Sequence, residues 1–357
     1  MYIQVIKSAV LKDKPESEQN LGFGKRFTDH MFVAEYTAEK GWHNARIQPY
    51  APFSIDPASP VLHYGQEIFE GLKAYRRADG EILLFRAIEN ARRMNRSADR
   101  MVMPAMDPAM QVEAMERLVD IERDWVPCSE GTSLYLRPTM IADGAALGVH
   151  AAPHYYYFII CSPSGAYYAN GMKPIRIYIE DTYVRAVKGG MGFAKTGGNY
   201  ACSLKAAEEA NAQGYDQVLW LDGKHNTYVQ EVGAMNMMFV IDGKLVTPEL
   251  DGSILPGITR NSILTMARDR GMEVVETLLS VDELVRAYDE GRLTEAFGTG
   301  TAAVVSPVGE ITYKGKQMIL NGGEIGPVSM SLYEELVGIQ RGISEDKRGW
   351  STVVPHF

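Results

Sequence analysis

The sequence predicts a two-domain chain of the α/β class, with sheets that mix strand directions. Three observations lead there. Segments with a two-residue apolar period alternate with segments of helical period. Glycine and proline punctuate short elements throughout, with no regular strand–helix repeat. The chain has 357 residues, and at roughly 150 residues per domain that length suits two cores.

Residues 72–75 and 81–85 read as strands joined by a hairpin turn at Ala78, Asp79 and Gly80. Helices are expected over 88–101 and 107–125. The second starts at Asp107, whose side chain can cap the first turn, with Pro108 at the first helical position. The continuous apolar run 155–161 reads as a buried strand. A cluster of small residues and prolines then runs from Ser162 to Pro174 and marks a candidate domain boundary.

Beyond it, Ile175, Ile177 and Ile179 alternate with Arg176, Tyr178 and Glu180, the period of a strand. Further strands are expected at 217–221, 227–232 and 237–241, the last turning at Asp242 and Gly243 into 244–246. Helices are expected at 199–213, stopped by Gly214, at 258–270 and at 281–290. Ser280 and Glu283 match a capping box for the last.

Composition narrows the function. Hydrophobic residues make up 46% and charged residues 23%, enough apolar mass for real cores. The formal net charge is -9 with no basic run, so neither nucleic acid nor an anionic membrane is an expected partner. An anionic ligand would have to be held by local groups. No apolar run approaches the roughly 20 residues that span a bilayer, and no secretion signal opens the chain, so a cytoplasmic location is expected. Cys128, Cys161 and Cys202 are too scattered for a disulfide framework or a metal site, and are expected as buried free thiols.

Five places could carry chemistry. Five glycines, 189, 190, 192, 197 and 198, surround Lys195. Glycine allows close backbone approach, and a lysine among small apolar neighbours is readily desolvated toward the neutral, nucleophilic amine of Schiff-base chemistry. A solvated surface lysine fits the same string. Leu255, Pro256 and Gly257 feed a helix through Ile258 and Thr259, an anion site or a plain cap. Residues 297–303 are rich in small and hydroxyl side chains, which could close a second wall of a phosphate or carboxylate pocket. Valines and a proline follow, so the context of a dinucleotide loop is missing. Glu231 lies in an apolar strand and needs a partner, either a salt bridge or a protonated ring nitrogen. Arg93 on its helix and Arg137 in a strand-like run could each bind an anion or form a structural ion pair.

Together these pieces resemble the branched-chain amino-acid aminotransferases, fold-type-IV pyridoxal-phosphate enzymes related to the D-amino-acid aminotransferases. The matching blocks are LHYGQEIFEGLKAY (62–75), FRAIENARRM (85–94), GTSLYLRPTMI (131–141), KTGGNYACSL (195–204), QVLWLDG (217–223), EVGAMN (231–236), LPGITR (255–260) and FGTGTAA (297–303). Their order and spacing are far more specific than any one block.

The resemblance implies pyridoxal 5'-phosphate as cofactor, held through Lys195, which also moves the substrate α-proton. It implies Glu231 at the ring nitrogen and Tyr200 at the phenolic oxygen. Arg93, Ile258, Thr259 and Thr301 would hold the phosphate. Tyr64, Phe69, Tyr135 and Tyr167 would line the side-chain pocket, with Tyr64 reaching from a partner subunit. Thr301 and Ala302 would meet the α-carboxylate and Arg137 the distal carboxylate of glutamate. The implied reaction is reversible, ping-pong transfer of the amino group of L-leucine, L-isoleucine or L-valine to 2-oxoglutarate. The implied architecture is a smaller N-terminal domain (1–164), a loop (165–175) and a larger C-terminal domain (176–357) carrying Lys195. The assembly is a homodimer or larger, in which residues 147–149 complete the neighbour's site.

Two departures stand out. Where mammalian relatives carry a Cys-x-x-Cys pair, this chain has Ala303 and Ser306, so no thiol switch is expected there. Ala234 replaces a frequent threonine. Competing readings are a D-amino-acid aminotransferase or aminodeoxychorismate lyase, a cofactor-free Schiff-base aldolase, and a non-catalytic cofactor-binding relative.

Overall fold

The computed structural model describes residues 2–168 and 171–357. Two compact units form. One comprises Met1–Ala169, Ala194–Gly197 and Gly338–Phe357, the other Asn170–Phe193 and Gly198–Val337. The chain first passes between them inside the segment 165–175. Two expectations about the domains are corrected. Residues 194–197, which include Lys195, pack with the first unit, because their backbone bonds to residues 67, 69 and 97. The C-terminal segment also belongs there: Ser351–Val353 adds an antiparallel strand beside Ile82–Phe85. The first unit is therefore the longer one.

Its sheet runs Gln4–Val5, Gly41–Pro49, His30–Thr37, His154–Ser164, Ser133–Asp143, Leu72–Arg76, Ile82–Phe85 and Ser351–Val353, with Glu67–Phe69 also paired to Ser133–Asp143. The expected hairpin forms between Leu72–Arg76 and Ile82–Phe85, and Gly80 takes the positive φ (93°) that its turn needs. Two helices cover this sheet, Ala87–Arg100 and Pro108–Ile121. The Asp107 side chain accepts from Ala109 N as the expected cap. On Ala87–Arg100 the buried stripe includes Asn90, Ala91, Met94 and Ala98, but also Arg93 and Ser97. Polar groups on a core-facing stripe need partners, and here they lead to the site.

The sheet of the second unit runs Val229–Val232, Gln217–Leu221, Ile175–Ile179, Val304–Tyr313, Leu293–Gly300, Met235–Ile241, Lys244–Pro248 and Val274–Thr277. Val229–Val232 also pairs with Met235–Ile241, which closes the first six strands into a ring. Ile177, Leu219, Phe239 and Ile311, all fully buried, belong to its core. The Ser280–Glu283 capping box is formed. The expected helix 199–213 is broken into Gly198–Ala201 and Leu204–Ala212. Ser203 Oγ donates to the Tyr200 carbonyl and Cys202 Sγ to that of Asn199. Such local bonds compete with the helical ladder.

Only Cys161 is a buried thiol. Cys128 and Cys202 are exposed, against expectation, because they sit in a loop and at that helix break. Among the described residues no helix is long and apolar enough to cross a membrane.

Candidate active site

The sequence-predicted residues fall in both units. In the first, Lys195 is seated by its own backbone. Its N–H donates to Ser97 Oγ at 2.8 Å, and its carbonyl accepts from Phe69 N at 3.0 Å. Thr196 Oγ1 donates to the Glu67 carbonyl at 2.6 Å, and Gly197 N–H to the Glu67 carboxylate. The lysine Nζ lies 4.9 Å from the centroid of the Phe69 ring. Burial, then the nearby charge of Arg93, pushes its pKa down to about 8, while Glu70 opposes that shift. A substantial fraction is therefore neutral near pH 8, as a Schiff-base amine requires.

Arg93 does not stand alone as an anion binder. Its Nε and Nη2 meet the two oxygens of Glu70 at 2.8 and 2.7 Å, and Asn90 Nδ2 donates to Glu70 at 2.8 Å. Glu70 is fully buried. Burial works against its charge, but Arg93, Lys195 and Asn90 outweigh that and hold the carboxyl below its usual range.

Arg137 stacks over Phe69 at 4.7 Å and Tyr135 at 5.2 Å, and its Nη2 donates to the Tyr135 hydroxyl at 2.9 Å. Its Nε is buried and has no hydrogen-bond partner among the described residues. A buried guanidinium N–H without an acceptor is costly, and a carboxylate is its natural complement. Phe23 packs edge-on against Tyr135 at 4.8 Å. Gly71 lets Tyr135 in: a Cβ there would lie 2.0 Å from the tyrosine oxygen. Tyr64 is exposed, and its hydroxyl accepts from Gly148 N at 2.9 Å. Tyr167 packs edge-on against Tyr168. Leu147 and Val149 are exposed.

In the second unit, Glu231 sits on Val229–Val232, two residues before Gly233, whose φ is +54°. The buried carboxylate pairs with Arg185 through one oxygen and accepts from Asn236 Nδ2 at 3.2 Å through the other. Arg185 Nη2 also donates to the Ser253 carbonyl at 2.6 Å. Gly257 precedes the helix Ile258–Asp269 with no side-chain cap, so the first-turn amides of Ile258 and Thr259 carry the partial positive charge of a helix start. Arg260 is buried and ties this turn down, donating to Pro248 O at 2.9 Å and Glu276 at 2.8 Å. Thr301 and Ala302 form the turn between Leu293–Gly300 and Val304–Tyr313. Val304 closes it at φ +64°, a strained conformation for a β-branched residue. Tyr200 lies on Gly198–Ala201, half-buried.

A family model described as Amino-transferase class IV matches residues 67–311. The chain belongs to that family. As a class IV aminotransferase it is 54% identical to a probable branched-chain-amino-acid aminotransferase of Staphylococcus aureus strain N315, over 99% of both chains. It is 53% identical to branched-chain-amino-acid transaminase 1 of Bacillus subtilis strain 168, over 98% of both. Among solved structures, the Escherichia coli branched-chain amino acid aminotransferase matches with TM-score 0.76 at 28% identity, covering 92% of this chain and 99% of that one. The T.th. branched-chain amino acid aminotransferase, solved with pyridoxamine 5'-phosphate, matches with TM-score 0.76 at 31% identity, covering 91% and 98%.

Glu70, Ser97, Arg185 and Phe23 are among the residues that sequence reasoning missed. For Glu70 a signal existed, an acid in the apolar run between Phe69 and Gly71. The others carry no local mark, since their roles come from partners between 46 and 112 positions away.

Proposed function

We propose that this class IV aminotransferase is a branched-chain-amino-acid transaminase. It moves the amino group of L-leucine, L-isoleucine or L-valine reversibly to 2-oxoglutarate, using pyridoxal 5'-phosphate. One observation carries the reading: the Phe69 ring lies 4.9 Å from the amine of Lys195 and 4.7 Å from the guanidinium of Arg137. An attachment point, an apolar wall and a carboxylate binder thus meet in one unit.

The donor set suits the cofactor. A lysine of lowered pKa suits its aldehyde, a buried carboxylate its ring nitrogen, and helix-start amides its phosphate. When bound, pyridoxal phosphate supplies the aldehyde and a ring that draws electrons from the substrate α-carbon. Lys195 anchors it and carries the α-proton at Nζ. Glu231 would meet the ring nitrogen, its carboxylate held in place by Arg185 and Asn236. Tyr200 donates to the phenolic oxygen. Arg93, Ile258, Thr259 and Thr301 hold the phosphate.

Thr301 and Ala302 take the substrate α-carboxylate. Phe69, Tyr135, Tyr64 and Tyr167 wall the branched side chain, which is apolar and needs no polar partner. Arg137 answers the distal carboxylate when glutamate takes its turn. Two amino acids that use one site in succession give ping-pong kinetics. The working form is a homodimer or larger, with Tyr64 and residues 147–149 serving the neighbour, and it acts in the cytoplasm.

The test is direct. Purified protein with L-leucine and 2-oxoglutarate should yield glutamate and the branched oxo acid. Turnover of D-alanine with none of L-leucine would sink the reading.

A further inference from the structure

Asn236 lies on Met235–Ile241, between the strand that carries Glu231 and the strand Leu293–Gly300 that leads into the turn at Thr301 and Ala302. Its Cα is in register with Glu231 on one side and Thr299 on the other. Its side chain is buried. One amide nitrogen, Nδ2, donates to Glu231 Oε1 at 3.2 Å and to the Leu255 carbonyl at 2.9 Å. Its Oδ1 faces Gly257 so closely that a Cβ there would lie 2.0 Å away. Thr299 Oγ1 reaches the Asn236 carbonyl at 3.5 Å.

We propose that Asn236 is a positioning residue that fixes the spacing between the Glu231 carboxylate and the turn 255–257 that opens the helix Ile258–Asp269. The inference rests on the reading that Glu231 serves the cofactor ring nitrogen and Ile258 and Thr259 its phosphate. Few side chains could replace it. The group must donate twice, once to a carboxylate and once to a carbonyl, and stay small enough to pass beside Gly257. Aspartate has the same shape but only acceptors, so it would set an oxygen against both partners. Alanine would leave a buried carboxylate oxygen one donor short. Asn236 touches neither the ring nor the phosphate in this scheme. It couples the two grips through one amide, so its loss should weaken both together.

The test compares Asn236→Asp, Asn236→Ala and Glu231→Gln with wild type in cofactor-free protein. Dissociation constants are measured for pyridoxal phosphate and for pyridoxal, which lacks the phosphate, together with competition by inorganic phosphate. Loss of a charge-assisted hydrogen bond predicts about tenfold weaker binding of pyridoxal phosphate in Asn236→Ala, more in Asn236→Asp, with pyridoxal and phosphate both weakened. The pH titration of the bound cofactor's absorbance should shift as well.

A merely structural Asn236 would lower the melting temperature and leave that titration where wild type has it, which overturns the proposal. Weakening of only one of pyridoxal and phosphate overturns the coupling. Should Asn236→Asp fail to fold, Gly257→Ala presses on Oδ1 from the other side and must give the same paired loss. If Glu231→Gln leaves pyridoxal binding and the titration unchanged, the reading of Glu231 fails, separately from that of Asn236.

Discussion

Lys195 and Phe69 meet twice. The Phe69 N–H donates to the Lys195 carbonyl at 3.0 Å, and the Lys195 amine stands 4.9 Å over the Phe69 ring. The first contact sets where the lysine enters, and the second gives its amine an apolar neighbour.

The lowered lysine pKa has a signed consequence. Between about 8 in the folded chain and 10.5 in the unfolded one, the folded state binds fewer protons. Stability of the cofactor-free protein should therefore gain from this group as pH rises from 8 toward 10.5. Lys195→Ala should remove that gain in denaturant titrations at several pH values. It should also cut transamination by at least ~10²-fold. A pH dependence identical to wild type would contradict the buried lysine.

Glu70 and Arg93 form a buried pair, and breaking one side should cost more than removing both. Glu70→Gln leaves Arg93 buried beside a neutral amide, with an expected loss of about 3–5 kcal/mol in unfolding free energy. The double variant Glu70→Gln with Arg93→Met should lose less than the sum of the single changes. Additive losses would mean that the pair is not coupled.

Gly71→Ala should act on the substrate and not on the cofactor. Its methyl would sit 2.0 Å from the Tyr135 oxygen and 2.9 Å from the adjacent ring carbon. Tyr135 also touches Arg137 and Phe23, so it cannot move alone. A misplaced pocket wall predicts kcat/KM for leucine down by up to ~10²-fold, with pyridoxal phosphate affinity unchanged.

Arg137 should separate the two half-reactions. Arg137→Met removes the proposed partner of the distal carboxylate, worth about 1.5–3 kcal/mol, so kcat/KM for glutamate should fall by roughly 10- to 10²-fold. Leucine, with no charge at that end, should change by less than about threefold on the same ground. Equal losses for both substrates would assign Arg137 a structural role.

Much of the fold was legible because it is local. Ile175, Ile177 and Ile179 mark their strand by period, Asp107 and Ser280 cap their helices, and Gly80 marks its hairpin. The breaks were less legible. The 199–213 helix is interrupted because Ser203 and Cys202 bond back to carbonyls, a choice that helical periodicity does not register.

Family membership and the reaction class were likewise contained in the sequence, because spaced blocks around Lys195, Glu231 and residues 255–260 carry that information in order. The pairings were not. Glu70 meets Arg93 and Arg185 meets Glu231 from 23 and 46 positions away. Which buried charge finds which partner is set by how the strands register, since a buried ion must be answered by whatever the fold brings to it. The lysine makes the same point. Its glycine-rich string fits a solvated loop as well as a nucleophile. Only the contacts of residues 195 and 196 with Ser97, Phe69 and Glu67, made across about 100 residues or more, draw it into the first unit, where burial and then the charge of Arg93 lower its pKa.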